Sequence, residues 1–181
     1  HRTPGRRVRS YGPGRAYGGR ARAGRAEQAR ADSLWEEFQG RQVTATVREV
    51  RDTLDRVRPG LPLSAAVLAD TLSASVRHGQ SWGAWLRAGL LDRAYVMCYA
   101  PEIQTVMNQL VTYAERVGVS ERVVPGIGMY NSAPSTAAAK IKGARALGYP
   151  VLAAYSYDAL REHPAYWPAL LALLQTDAAV R

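Results

Sequence analysis

Four short apolar runs recur along the chain at intervals of 28 to 32 residues, and a longer amphipathic segment follows each of them. The runs are residues 63–68, 95–99, 123–128 and 151–155. They show little alternation of polar and apolar positions, as is typical of parallel strands that are covered on both faces. An interval of this length accommodates a strand, a crossover helix and two loops. The pattern therefore predicts four consecutive strand-helix units.

The segments between the runs have apolar residues spaced by three and four, which predicts helices with one buried face. One helix is predicted to begin near Pro134 and to end before Gly148, and Trp82 and Trp85 are predicted to be core residues. The clearest stripe consists of Ile103, Val106, Met107, Leu110, Ala114 and Val117. A last helix is predicted around Tyr166, Trp167, Leu170, Leu171, Leu173 and Leu174.

A long helix is predicted upstream of the first strand. Ser33 and Glu36 form a Ser-x-x-Glu capping pattern, so the helix is expected to begin there. Arg58-Pro59-Gly60 is expected to end it, because proline and glycine interrupt helices. Its apolar positions are Val43, Val47, Val50, Leu54 and Val57.

The formal charge of +9 is concentrated at the N-terminus. Residues 1–30 hold nine arginines against one glutamate, whereas residues 31–181 are close to neutral. The first segment is rich in Arg and Gly and lacks hydrophobic periodicity, which predicts a disordered arm. Such an arm, with Tyr11 and Tyr17, could bind single-stranded nucleic acid. The near-neutral remainder argues against nucleic acid as the main partner and leaves it as an alternative.

The length of 181 residues and the hydrophobic content of 47% predict one globular domain with a real core. A closed barrel of eight parallel strands typically takes about 250 residues. Four parallel strands would leave two unpaired edges. The sequence therefore predicts either part of a parallel (β/α)8 barrel of the TIM type, whose preceding strands are missing, or a small open α/β sheet.

Several site classes are excluded by the rarity of cysteine and histidine. Cys98 is the one cysteine, lies within a predicted strand and is expected to be a buried structural thiol. His1, His78 and His163 are widely scattered, so no spacing suits a metal site and no cofactor is predicted. No apolar run reaches the roughly 18 residues of a membrane span, so none is predicted.

Chemistry-bearing side chains follow the ends of the predicted strands, where parallel α/β folds place their functional groups. A carboxyl pair performs glycoside hydrolysis, and aromatic rings contact the apolar C–H faces of sugars. Asp70 and Glu102 could instead cap helices, and the tyrosines could simply pack in the core. The selected residues are Asp70, Glu102, Asp158, Tyr99, Tyr130, Tyr157, Asn131 and Ser156.

Seven short motifs occur in a fixed order between Trp35 and Leu160. They are Ser64-Ala65-Ala66-Val67, Gln80-Ser81-Trp82, Trp85-Leu86, Gly89-Leu90-Leu91-Asp92, Met97-Cys98-Tyr99, Gly126-Ile127-Gly128-Met129-Tyr130 and Tyr155-Ser156-Tyr157-Asp158-Ala159-Leu160. As a set, in this order and spacing, they resemble the bacterial glycosyl-hydrolase-like family 10.

The resemblance implies a (β/α)8 barrel, of which residues 31–181 would supply the fourth helix through the eighth strand and helix. It implies a hydrolase of glycans, including cell-wall glycan strands, in a protein that is exported or associated with the cell envelope. It also implies that Tyr99, Glu102, Tyr130, Tyr157 and Asp158 face the substrate.

The chain departs from the family pattern before the predicted helix at Ser33. There the family has a strand that ends in a His-Leu-Asp-Tyr-Ile-Arg-Tyr-Pro-like motif, whose Asp is a leading candidate for chemistry, and this chain has the Arg/Gly arm instead. The expected function is hydrolysis of β-linked glycans, with Glu102 or Asp158 as acid/base partner of the missing Asp. The fragment is expected to be inactive without the N-terminal half of the barrel. The alternative is a barrel that binds carbohydrate without cleaving it.

Overall fold

The computed structural model of the chain describes residues 16–118 and 120–175. In this part of the chain, helices and strands alternate around one parallel sheet. The strands are β1 (Ser64–Leu68), β2 (Arg93–Cys98), β3 (Val123–Gly128) and β4 (Ala153–Tyr155). The helices are α1 (Ala16–Val57), α2 (Thr71–His78), α3 (Trp82–Arg87), α4 (Ile103–Val117), α5 (Pro134–Ala146), α6 (Tyr157–Glu162) and α7 (Tyr166–Gln175), with a 3-10 turn at Ser120–Arg122.

The sheet has the order β1-β2-β3-β4, and all neighbouring strands are parallel. The prediction of an α/β fold with four consecutive parallel strands is confirmed. The first crossover contains two helices, α2 and α3, and the others contain α4 and α5. Because each strand lies beside the next one in the sequence, crossovers of the same hand place their helices on the same face of the sheet.

The hydrophobic core lies between this helical face and the sheet. Alternate strand residues point into it, among them Val67, Val96, Cys98 and Ile127, all at most 1% exposed. The predicted core roles of Trp82 and Trp85 and the burial of Cys98 are confirmed. The stripe on α4 also packs as predicted, with its buried positions at Val106, Leu110, Tyr113 and Val117.

The opposite face of the sheet is here called the open face, and it carries Ala66, Tyr95, Met97 and Val124. The strand register places Ala66, Tyr95 and Val124 in one row and Met97 beside Gly126 on the same face, and none of the four belongs to the core cluster. Val124 is buried, whereas Ala66, Tyr95 and Met97 are exposed or half-buried. The outer edges of β1 and β4 have no strand partner within residues 16–118 and 120–175. An apolar face and two free edges are features that globular proteins normally cover.

The start of α1 differs from the prediction. The helix begins at Ala16, so Ser33 and Glu36 lie in its interior and do not cap it. The described half of the predicted arm is thus helical, and residues 1–15 lie outside the described residues. Alanine and arginine have high helix propensity, so the helix can continue upstream without a hydrophobic face. The predicted end of α1 is confirmed, because it stops at Val57 before Pro59.

Two cationic side chains fasten the N-terminal end of the sheet. Arg122 donates hydrogen bonds to the backbone carbonyl oxygens of Leu86, Leu91 and Asp92, at 2.8 Å to Leu86 and 3.0 Å to Asp92. Arg51 of α1 pairs with the carboxylate of Asp92 at 3.1 Å. The segment that leads into β2 is therefore held to both α1 and the start of β3.

Candidate functional site

Three tyrosine rings contact one another where β2, β3 and β4 end, and they are called the tyrosine cluster below. Tyr99 and Tyr155 stack with ring centroids 4.7 Å apart and planes inclined by 11°. Tyr130 meets both rings edge-on, at 6.3 Å from Tyr99 and 6.1 Å from Tyr155. Tyr130 and Tyr155 are 56% and 50% exposed, so the cluster presents aromatic surface to solvent.

Two glycines of β3 leave the space that the cluster occupies. A Cβ atom on Gly126 would lie 3.1 Å from Cε1 of Tyr99 and 3.2 Å from the carbonyl oxygen of Val96. A Cβ atom on Gly128 would lie 2.7 Å from Oδ1 of Asn131. The absence of side chains at these positions allows Tyr99 and Asn131 to lie directly against the end of β3.

The loop after β3 is fastened to the loop after β2. The Asn131 side chain donates a hydrogen bond to the carbonyl oxygen of Tyr99 at 2.6 Å. The hydroxyl of Tyr166 on α7 donates to the carbonyl oxygen of Ser132 at 2.7 Å.

Burial raises the pKa of the Tyr99 hydroxyl, and the neighbouring hydroxyls of Tyr155 and Tyr130 raise it further. Tyr99 is therefore held as a neutral phenol.

Lys140 of α5 lies beneath these two loops and is completely buried. Among the described residues, no other charged residue is buried. Its ammonium group donates to the carbonyl oxygen of Ala100 at 2.7 Å and to Oγ of Ser132 at 2.8 Å. Burial lowers the pKa of Lys140, whereas the negative charge of Glu102 acts in the opposite direction. Lys140 thus links the loop after β2 with the loop after β3.

The predicted substrate-binding residues do not all lie in the cluster. Tyr99 and Tyr130 belong to it, and Asn131 holds Tyr99 from below. Tyr157 is 75% exposed at the start of α6, and within the described residues its ring does not contact another aromatic ring. Ser156 lies between Tyr155 and Tyr157, at the N-terminal cap position of α6.

The three predicted catalytic carboxylates have separate surroundings. Asp70 accepts a hydrogen bond from the backbone N–H of Ser73 at 3.1 Å, so it caps the first turn of α2. Glu102 is exposed at the N-terminal cap position of α4. Asp158 pairs with Arg161 at 3.5 Å, and both side chains are largely exposed. In the described part of the chain, no hydrogen bond or ion pair joins Glu102 to Asp158.

A polar groove of about 310 Å³ adjoins Asp70 on the helical side of β1. Hydroxyl and amide side chains line it, including Thr105, Asn108, Gln109 and Thr112 of α4. This groove lies on the opposite face of the sheet from the tyrosine cluster, because α4 covers the helical face. Asp70 therefore contributes to a different surface from the tyrosines.

Two residues of the site are not among those that the sequence pattern selects. The pattern places Tyr155 in the core of the fourth strand, yet the pairing of Tyr155 with Gly128 puts it on the same face as Gly126 and Ala153. Lys140 stands within the buried stripe of α5, and a lysine in such a stripe is the sequence signal that could have identified it.

The tyrosine cluster and the side chains around it can offer flat aromatic surface and hydrogen-bonding groups to a polyhydroxylated ligand.

In the region that the structure describes, no group of three or more His, Cys, Asp and Glu side chains could hold a metal ion. Within the same region, none of the helices combines the length and the hydrophobicity that a bilayer crossing requires. A scan against protein-family models and a search of curated proteins found no match to this chain.

Proposed function

We propose that this protein is part of a glycoside-hydrolase-type barrel and binds β-linked glycans at the tyrosine cluster. The observation that carries the proposal is the stack of Tyr99 and Tyr155 with the exposed edge-on ring of Tyr130. Sugar rings present apolar C–H faces that pack against exposed aromatic rings, while their hydroxyl groups bond to phenolic oxygens and amides. Resemblance to the glycosyl-hydrolase-like family 10 supports the same ligand class.

The proposed (β/α)8 barrel is supported by the order of the strands. A sheet wound in one direction has helices on one face only, so its other face must be covered by something else. Closure into a barrel covers the open face and pairs both free edges at once. We therefore propose that four further strand-helix units complete the sheet between the outer edges of β1 and β4.

Hydrolysis in this proposal uses Glu102 or Asp158 as the acid/base partner of an Asp from the upstream half of the barrel. Both follow strand ends, and Glu102 lies three residues after Tyr99. In such chemistry one carboxylic acid protonates the leaving oxygen, and a second carboxylate acts as nucleophile or activates water. The second carboxylate would come from the strand that precedes α1 in the family pattern. Envelope glycans, including cell-wall glycan strands, are the proposed substrates.

The proposal is tested by titrating the 181-residue chain with a soluble β-linked N-acetylglucosamine tetrasaccharide. Nuclear magnetic resonance would monitor the tyrosine ring signals during the titration. We expect the signals of Tyr99, Tyr130 and Tyr155 to shift together and to saturate with sugar concentration. Shifts confined to other tyrosines, or no saturable change, would reject binding at the cluster.

A barrel that binds glycans without cleaving them is the second candidate. It is favoured by the ion pair of Asp158 with Arg161 and by the capping role of Asp70, because both carboxylates already have structural partners. The two candidates differ in the response to Glu102→Gln and Asp158→Asn. Both measurements use the chain completed by the missing strand-helix units. If the completed parent protein cleaves glycans and the two variants bind but no longer cleave them, the hydrolase is supported. If the completed parent protein binds glycans without cleaving them, the second candidate is supported.

A further inference from the structure

A serine hydroxyl and a buried lysine amine lie within hydrogen-bonding distance at the end of β3. Nζ of Lys140 donates to Oγ of Ser132 at 2.8 Å, and the Ser132 hydroxyl donates a longer bond of 3.4 Å to Oδ1 of Asn131, which it can exchange for Nζ when Lys140 is neutral. A nucleophile and a base at this distance, with the base oriented by a third group, form the arrangement that activates serine in acyl transfer. The third group here is the carbonyl oxygen of Ala100, which is 2.7 Å from the same nitrogen.

The surroundings of Lys140 favour its neutral form more than those of a lysine in water. The side chain is 0% exposed, and burial disfavours an ammonium ion because it removes the ion from water. The pKa of Lys140 is accordingly lowered, although the carboxylate of Glu102 raises it in part. A lysine that is neutral for part of the time can accept a proton from a hydroxyl group.

Ser132 is half-buried, so part of its surface is accessible, and it lies in the loop directly before α5, whose N-terminal cap position is Ala133. In the described structure no side chain caps α5, so the N–H groups that follow Pro134 in its first turn have no side-chain acceptor. Ser132 therefore lies beside Lys140 and next to the N-terminus of a helix, which favours negative charge.

We propose that Ser132 and Lys140 form a nucleophile–base pair that hydrolyses small carboxylic acyl esters. Neutral Lys140 takes the hydroxyl proton of Ser132 while Oγ bonds to the carbonyl carbon of the ester. The tetrahedral adduct then breaks its bond to the alcohol oxygen, and the alcohol leaves with the proton from Lys140. Water next attacks the acyl-serine, with Lys140 again as base, and this step releases the carboxylic acid and restores Ser132.

This activity goes beyond the proposed glycan binding and does not depend on it. If the glycan proposal is also correct, the ester substrate is an acyl group on a sugar hydroxyl, because the tyrosine cluster lies on the adjacent strand ends. The two proposals use different side chains. Ser132→Ala is expected to abolish ester cleavage and to leave the tyrosine cluster and glycan binding intact, so this variant separates the two proposals.

The test uses the 181-residue chain and p-nitrophenyl acetate. We expect a burst of p-nitrophenolate and a mass increase of one acetyl group that peptide mapping assigns to Ser132. Ser132→Ala should abolish this acetylation, and Lys140→Met should slow it by about 100-fold or more, the usual contribution of a general base. The matched controls are Ser64→Ala at the opposite end of the sheet and Lys142→Met on the same helix, and both should keep the parent rate.

The inference is overturned by acetyl groups that map only to other residues, or by a parent rate in Ser132→Ala. Equal acetylation rates in Lys140→Met and Lys142→Met would also overturn it, since Lys140 would then contribute no more than another lysine of the same helix. Circular dichroism in the far ultraviolet establishes whether each variant is folded. If Lys140→Met does not fold, the Ser132→Ala comparison decides alone, because that variant removes only a half-buried hydroxyl group.

Discussion

Tyr99 and Tyr155 stack face to face across β3: Tyr99 directly follows β2 and Tyr155 ends β4, and these two strands are not neighbours in the sheet. The stack is possible because Gly126 and Gly128 of the intervening strand carry no side chains on that face. Residues at the ends of β2, β3 and β4 together therefore form the aromatic surface that we assign to glycan binding.

Replacement of Tyr155 by alanine should weaken glycan binding, because it removes one ring of the stack and leaves the Tyr99 ring without its stacking partner. An aromatic pair contributes about 0.5–1.5 kcal/mol beyond the burial of its area, so we expect the dissociation constant to rise about tenfold. Tyr157→Ala is the matched control, since Tyr157 is 75% exposed and lies outside the cluster. Equal losses in the two variants, measured by calorimetric titration, would contradict the assignment.

Replacement of Gly126 by alanine should displace the Tyr99 ring. The new Cβ atom would meet Cε1 of Tyr99 at 3.1 Å and the backbone oxygen of Val96 at 3.2 Å. Overpacking of this kind costs about 1–3 kcal/mol of unfolding free energy, and we expect the near-ultraviolet tyrosine dichroism to change as well.

Gly40→Ala serves as the control for this change, because a Cβ atom there would have no neighbour within 4 Å. It should raise the unfolding free energy by up to about 1 kcal/mol, since alanine is the better helix former. Urea denaturation measures both variants. A Gly126→Ala protein that is as stable as the parent, with unchanged tyrosine dichroism, would show that the glycine does not make room for Tyr99.

Replacement of Arg122 by methionine should destabilise the fold. It removes the guanidinium donor from the carbonyl oxygens of Leu86, Leu91 and Asp92, of which Leu86 keeps a bond from the backbone N–H of Gly89. A hydrogen bond to a charged group contributes about 1.5–3 kcal/mol when it is buried. Because Arg122 is only half-buried and water can replace part of its donor capacity, we expect a smaller total loss of about 2–3 kcal/mol in urea denaturation. Arg116→Met on the exposed side of α4 should change stability by less than about 0.5 kcal/mol. Similar losses in both variants would mean that these backbone contacts add nothing specific.

The unfolding free energy should fall as the pH rises from about 9 towards about 12. Burial raises the pKa of the Cys98 thiol from 9.0 to about 12 and that of the Tyr149 hydroxyl from 10.0 to about 12. A group whose pKa is higher in the folded state stabilises the fold fully below its unfolded pKa, and this contribution disappears as the pH rises to the folded pKa. Each such group changes stability by at most about 1.4 kcal/mol per pH unit.

Cys98→Ala isolates the contribution of the thiol. Between about pH 9 and 10 the cysteine of the unfolded chain ionises before the tyrosines, so the stability difference between parent and variant should shrink with pH. Lys140 acts in the opposite direction because its pKa is lowered, but it is present in both proteins and cancels in the comparison. A constant difference across this range, measured by urea denaturation, would be inconsistent with a buried thiol that stays protonated.

The sequence predicted those elements whose signals are local. Pro134 begins α5, and Gly148 follows its end with a positive φ of 89°, both as expected from their intrinsic backbone preferences. The buried positions of α4 follow the predicted stripe because helical spacing alone decides which side chains share a face. The predicted start of α1 at Ser33 is wrong, because a capping pattern is a weak signal within a segment that favours helix throughout.

The composition of the site depended on tertiary structure. Tyr155 and Tyr157 are two positions apart and look equivalent in the sequence, yet the strand ends at Tyr155 and only that ring stacks on Tyr99. Strand register and the point where a strand ends are set by pairing with β3, which is not local. The same holds for Lys140, whose partners Ala100 and Ser132 come from two loops.

The sequence by itself therefore determined the four strand-helix units, their parallel direction and the edge of the sheet where polar and aromatic groups collect, because periodicity and turn residues encode these features locally. Only the tertiary structure decided which tyrosines touch, that the carboxylates have separate partners, and that a lysine lies buried beside Ser132. Those relationships depend on the distances between strands and loops, and such distances arise when the sheet is packed against its helices.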